Sequence, residues 1–356
     1  MATVPPTTDD SPGPTGAGRG DLPTTFRAVT ARAYGGPEVL ALEDLPVPEP
    51  GPREVLVEVH AAAVDRGTWH LLHGTPYQMR LAFGLRRPRR PGVGRDVAGV
   101  VRAVGSDVTR FAVGDSVLGS APLGSLGELA VAPEDRLVHR PDWLPYDEAA
   151  ATTISGGTAL QALDKVGVTA GDRVLVLGAS GGVGSYAVRL AVGRGAEVTG
   201  VCSAAKADWV RSLGAARVVD HQEPRMRAGD LVGALGRHDV IIDIAGGHPV
   251  RRLRRVLAPR GRLVVVGSEE GGAWSTGVAR QLRASLLSPA VSQRLTALAA
   301  SEGHEGTERL VAELEATADR SVVSRRYSLD EAPQALRDLE DGLVAGKAVV
   351  VVRPTP

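Results

Sequence analysis

At 356 residues the chain is longer than one ordinary core of ~100–200 residues requires, so two domains with a cleft between them are expected. Lys plus Arg balance Asp plus Glu at 41 each, which leaves no global field to draw the protein onto nucleic acid or an anionic bilayer. No apolar run approaches the ~20 residues of a membrane helix, and the lone cysteine, Cys202, excludes an intramolecular disulfide and fits a reducing, cytoplasmic setting.

Residues 1–25, rich in Pro, Gly, Thr and Asp, lack the apolar periodicity that would offset their ordering entropy and read as a tail. They also lack the basic start and apolar core of a signal peptide. From Arg27 the pattern becomes short β-rich runs broken by turns, at Val55–His60, Gly99–Val104 and Ser116–Leu118, which predicts an irregular all-β domain over 26–150. A helix is expected from Tyr146 to Leu163. Arg173–Leu177 then opens an alternating strand and helix series that predicts a parallel, doubly wound sheet over 151–290. The stretch 291–356 ends in a helix near Asp330–Glu340 and a strand at Ala348–Val352.

The strand Val174–Leu177 runs straight into Gly178-Ala-Ser180-Gly181-Gly182-Val183-Gly184 and then a helical stretch. Small residues there let backbone approach a pyrophosphate, whose charge sits on the free amides of the following helix. Ala179 stands where the usual fingerprint has its first glycine, but the strand before, the helix after and a second strand at Glu197–Val201 satisfy the context that a dinucleotide site requires. At the end of that second strand an acid would mark NAD; instead the chain has Cys202-Ser203-Ala-Ala-Lys206, a hydroxyl and an ammonium suited to a 2′-phosphate. NADPH is therefore favoured. The plainer alternative makes Ser203 a helix cap and Lys206 a solvated charge. Only three lysines occur in the chain, and Lys206 and Lys347 are two of them.

With Arg211-Ser-Leu-Gly-Ala215, Val218-Val-Asp-His221, Asp239–Gly246 and Pro259–Gly267 added to the glycine run, the second half resembles the cofactor domain of the medium-chain dehydrogenase/reductase family. Gly36–Leu40, Val59–Asp65, Pro91–Gly94 and Val104–Asp115 resemble its GroES-like catalytic domain, in the right order, and the chain is most similar to the zinc-independent quinone oxidoreductase branch. The resemblance implies an α/β fold with a GroES-like β domain, a Rossmann domain and a C-terminal return of 291–356 to the catalytic domain. It also implies cofactor contacts from Thr158 and its neighbours Ser155 to Gly157 and from Lys206, His221, Gly246 and Gly267, and a homodimer formed near Leu282–Val291; Lys347 joins the cofactor candidates as one of the three lysines of a chain that otherwise uses arginine.

By alignment with the family's zinc enzymes, Asp65 stands at the first cysteine ligand, and Gly94-Arg95-Asp96 replaces Gly-His-Glu. A guanidinium cannot become a ligand and one cysteine cannot build either zinc site, so no metal is expected. Asp65 and Arg95 either pair across the vacated position or face solvent separately. His70 and His73 read as surface or packing residues rather than ligands.

Without a metal the acceptor must take hydride at carbon while charge spreads onto oxygen, as a quinone, enone or enoyl thioester does. The resemblance implies that Asp65–His70 lies against the nicotinamide, which makes Asp65, Trp69 and His70 the candidate substrate contacts, with His70 a possible proton donor and Trp69 equally readable as a core aromatic. The expected activity is NADPH-dependent reduction of such a small electrophile. The alternatives are alcohol or aldehyde interconversion and a non-catalytic NADPH-binding role. The run Arg86-Arg-Pro-Arg-Arg90 reads as a solvated loop, with an anionic substrate the other reading; without interleaved aromatics it predicts no nucleic-acid contact.

Overall fold

The computed structural model describes residues 22–267, 291–317 and 321–354. Its first half opens with an antiparallel pair, β1 (Thr25–Ala31) and β2 (Leu40–Pro46). There follow β3 (Glu54–Val64), the helix α1 (Arg66–His73), a one-turn helix α2 (Arg80–Phe83), β4 (Asp96–Val104), β5 (Ser116–Ser120), β6 (Leu129–Pro133) and β7 (Leu137–His139). The 11-residue strand β3 is almost wholly buried because it carries β4 along one edge and β6 and a C-terminal strand along the other.

The second sheet has six strands, all parallel, in the order β10 (Arg217–Asp220), β9 (Glu197–Cys202), β8 (Arg173–Leu177), β11 (His238–Asp243), β12 (Leu257–Val265) and β13 (Arg294–Ala297). Chain order reverses at β8, so the crevice beyond the carboxyl ends of β8 and β11 is where a doubly wound sheet takes its ligand. β13 adds to this sheet, beyond the point at 290 where the cofactor domain was expected to end; the return begins only after Ala297. It then supplies a helix (His304–Glu315), β14 (Val323–Ser328), a helix (Ala332–Glu340) and β15 (Lys347–Val351), with β14 and β15 extending the first sheet along β3.

Between the sheets lies α3 (Tyr146–Val166), closed by Gly167 at φ 64°. Its buried face is small, with Ala149, Ala150, Ala151, Ser155, Gly156 and Ala159, which lets backbone come close on both sides. A Cβ on Gly156 would lie 2.7 Å from Leu310. One apolar cluster consequently runs from Ala61, Ala98 and Leu118 of the first sheet through α3 to Val174 and Val176 of the second. The two sheets share a core along this helix, and the groups described below sit at that seam. Among the described residues no helix is long and apolar enough to cross a membrane. Residues 1–21, most of the expected dimer segment Leu282–Val291 and the loop Glu269–Gly277 lie outside the described residues.

Candidate active site

β8 ends in Gly178 at φ 86°, a backbone state that only glycine adopts freely, and the chain turns into α4 (Gly182–Gly193). Gly184 is fixed by contact rather than by φ: a Cβ there would stand 2.0 Å from the Gly178 carbonyl oxygen. Gly181 caps the helix with no side chain over the first-turn amides, and a Cβ on it would meet only the Gly178 oxygen, at 3.6 Å. Open space in front of uncapped amides at a helix start is what a pyrophosphate requires, so the turn fits a dinucleotide. Ser180 is buried, and its carbonyl accepts from the Gly346 amide at 2.8 Å. At the neighbouring strand ends, Gly246 adopts φ 77° while its amide donates to the buried carboxylate of Asp243 at 3.1 Å, and Gly267 follows β12. Thr158 bonds the Ile154 carbonyl within α3 at 2.7 Å.

At the adenosine end, Ser203 occupies a cap position but its side chain makes no cap bond, so the capping alternative does not hold. Lys206 is no solvated charge either: its ammonium donates to the Val344 carbonyl at 2.6 Å, tying the strand end to the returning C-terminal segment. His221 holds the Cys202 carbonyl through Nδ1 at 3.1 Å, so it buttresses the end of β9.

The expected Asp65–Arg95 pair is not formed. Arg95 instead reaches Glu302 at 2.5 Å, in a network with Arg136 at 2.9 Å and the Ser120 hydroxyl at 2.8 Å. The cation beside Asp65 is Lys347, whose ammonium lies 3.7 Å from Asp65, 2.8 Å from Asp96 and 3.3 Å from the Ser155 hydroxyl. Lys347 is 1% exposed and its side chain runs beneath the glycine turn, where a Cβ on Gly182 would meet both Lys347 and Ser155. Its polar partners here are carboxylates and a hydroxyl. The pairing with Asp96 was missed in the sequence because 251 residues separate the two, and Glu302 was missed for the same reason.

Both carboxylates are locally anchored. Asp65 caps α1, accepting from the Thr68 amide at 2.8 Å and hydroxyl at 3.1 Å; Asp96 accepts from the Ile154 amide at 2.9 Å. One ammonium shared between two carboxylates cannot fully compensate both. Burial therefore pushes Asp96 up to about 6, against the pull of Lys347 and with Asp65 adding to the rise. Lys347 itself is held above the ordinary lysine value, because the two carboxylates together outweigh the burial that opposes its charge. An ammonium against Asp65 and an arginine engaged by Glu302 are a donor set that does not fit zinc.

On α1, Trp69 stacks on His73 at 4.1 Å, and its indole N–H is buried without a hydrogen-bond partner. His70 faces the Thr75 carbonyl through Nδ1 at 3.0 Å. Thr68, which holds Asp65, also lines a mostly apolar cavity of about 450 Å³ with Leu71, Phe83, Val93, Arg95 and Leu123.

Residues 51–142 match the family model described as the alcohol dehydrogenase GroES-like domain, and 213–350 match the one described as zinc-binding dehydrogenase. The chloroplastic quinone-oxidoreductase QR1 of Triphysaria versicolor is 32% identical over 340 residues, covering 91% of this chain and 98% of its own. The solved quinone oxidoreductase of Coxiella burnetii superposes with a TM-score of 0.78 at 28% identity, over 92% of this chain and 100% of that one. The mycobacterial Rv1454c complexed with NADPH does so at 0.77 and 28%, again over 92% and 100%. A glycine turn built for a dinucleotide, the two domain matches and full-length likeness to these proteins agree: the chain belongs to the medium-chain dehydrogenase/reductase family, in its quinone oxidoreductase branch, and is an NAD(P)H-dependent oxidoreductase.

Proposed function

We propose that the protein uses NADPH to reduce a quinone or an activated carbon–carbon double bond, with no metal taking part. The observation that carries the cofactor choice is the end of β9, where Ser203 and Lys206 stand and no acid is offered to a ribose hydroxyl. The solved relative complexed with NADPH supports the same choice.

When bound, the reduced nicotinamide supplies the hydride; the chain's part is to hold, orient and exclude water. The amides of Gly182 to Gly184 would hold the pyrophosphate, Lys206 would hold the 2′-phosphate, and the Thr68–Leu71 face of α1 would receive the acceptor. Holding donor and acceptor in attack geometry supplies on the order of 7–11 kcal/mol of the barrier. His70 is oriented by the Thr75 carbonyl at Nδ1; water, which protonates such enolates readily, supplies the proton that completes the reduction.

The test is consumption of NADPH against NADH with excess chelator and a panel of quinones, enones and aldehydes. Turnover of quinones or enones with NADPH, unaffected by chelator, is expected. Turnover confined to aldehydes and lost to chelator would overturn the reading.

A further inference from the structure

Thirty residues, Arg66 to Arg95, contain seven arginines and neither an aspartate nor a glutamate, in a chain whose charges balance as a whole. The run Arg86-Arg87-Pro88-Arg89-Arg90 is no loose loop. Gly84 turns at φ 126°, where a Cβ would strike the Arg87 carbonyl at 2.1 Å. The Arg89 amide closes the turn on the Phe83 carbonyl at 2.8 Å, and the Tyr34 hydroxyl holds the Gly84 carbonyl at 2.7 Å. Arg80 fixes its base by bonding the Gly74 carbonyl at 2.8 Å while stacking between Tyr34 and Tyr77.

This turn forms the shared wall of two cavities. One is the 450 Å³ apolar cavity that reaches Thr68 and Arg95; the other, of about 570 Å³, is bounded by Arg32, Arg86, Arg87 and Arg89. Ala31, Pro88, Arg89 and Pro91 line both, and among the described residues no carboxylate lines either. Arg32 is paired with Glu43 and Arg95 with Glu302, but Arg86, Arg87, Arg89 and Arg90 have no ion-pair partner among the described residues.

We propose that these adjoining cavities form one binding site for an amphiphilic anion, and that the acceptor reduced by this protein carries a phosphate or carboxylate on an apolar body. The apolar chamber beside α1 takes the body, and the four guanidiniums, which repel one another and present fork geometry to an oxyanion, take the charged head. That the ligand is the hydride acceptor rests on the function proposed above; the binding site itself does not.

The test uses calorimetric titration of the full-length protein with 2-naphthyl phosphate, 2-naphthoate and neutral 2-naphthamide. Either anion is expected to bind at least about tenfold tighter than the amide, with an affinity that falls as salt rises. Preference between the phosphate and the carboxylate identifies the head group. Replacing Arg86, Arg87, Arg89 and Arg90 together by Ser should erase that difference, and replacing all four by Lys should restore most of it. Equal binding of amide and anions, no binding of any probe, or an anion preference that survives the Ser variant overturns the proposal. A parallel turnover assay compares 1,4-naphthoquinone with its 2-sulfonate. Arginine-dependent binding without turnover of either quinone would sink the hydride-transfer reading alone; turnover of both quinones with equal kcat/KM would sink the anionic acceptor alone.

Discussion

The glycine turn at α4 and the ion cluster beneath it lie in van der Waals contact, yet they are built in opposite ways. The turn is backbone: seven consecutive residues whose shape follows from a positive φ at Gly178 and the lack of a Cβ at Gly184. The cluster is side chain: Asp65, Asp96, Ser155 and Lys347 come from four separate elements and meet only when the C-terminal return closes on the first sheet. A site made of backbone can be read from a short string of residues, while a site made of distant side chains exists only in the finished fold.

The largest effect should come from removing the cation of that cluster. Lys347→Met leaves two buried carboxylates uncompensated and is expected to destabilise the protein by roughly 3–5 kcal/mol, measured by urea unfolding; a loss near zero would mean that the cluster is wet and open. Gly184→Ala attacks the turn instead. Its Cβ must displace the Gly178 carbonyl, so NADPH binding, followed by cofactor fluorescence, should fall by more than about a hundredfold with the first sheet still folded. A variant that binds normally would show that the turn has more slack than its geometry suggests.

Acid separates burial from pairing within the cluster. A folded Asp96 raised to about 6 takes up its proton before the unfolded chain does, so its charge weighs against the fold above that pH and is relieved as pH falls toward 4. Wild type should therefore gain stability relative to Asp96→Asn across that window, measured by unfolding at several pH values. If pairing with Lys347 governed instead, the folded value would be depressed and wild type would lose ground in acid.

A smaller effect belongs to Lys206. Losing one charge-assisted bond, worth about 1.5–3 kcal/mol, should raise the Kd for NADPH by about ten- to a hundredfold in Lys206→Ala and leave NADH nearly unchanged; equal weakening of both would assign Lys206 to the Val344 contact alone. Least of all should change in His70→Ala, where kcat/KM is expected to drop less than about tenfold because water protonates the reduced acceptor. A thousandfold loss would make His70 the proton donor.

Much of the architecture was legible. Alternating strands and helices gave the parallel sheet, and the span Tyr146–Leu163 gave α3 to within a turn. The cofactor side was legible because each of its cues, a strand, a glycine, a helix start, is local. The substrate side was not. Arg95 looked like the natural partner for Asp65 because both replace ligands of one metal, whereas Glu302 captures the arginine from a loop no pattern connects to it. The place where the cofactor sheet ends was misjudged because β13 is a four-residue strand without a periodic signature. The arginine run is an exposed loop, as its composition indicates, but the turn that orders it was not legible because it depends on Tyr34, some fifty residues earlier.

The segment 344–347 touches both ends of the cofactor crevice: Val344 receives Lys206, Gly346 grips the glycine turn at Ser180, and Lys347 neutralises the carboxylates below it. Loss of this one segment would therefore take the support from the glycine turn and the cation from the carboxylates beneath it at a single stroke.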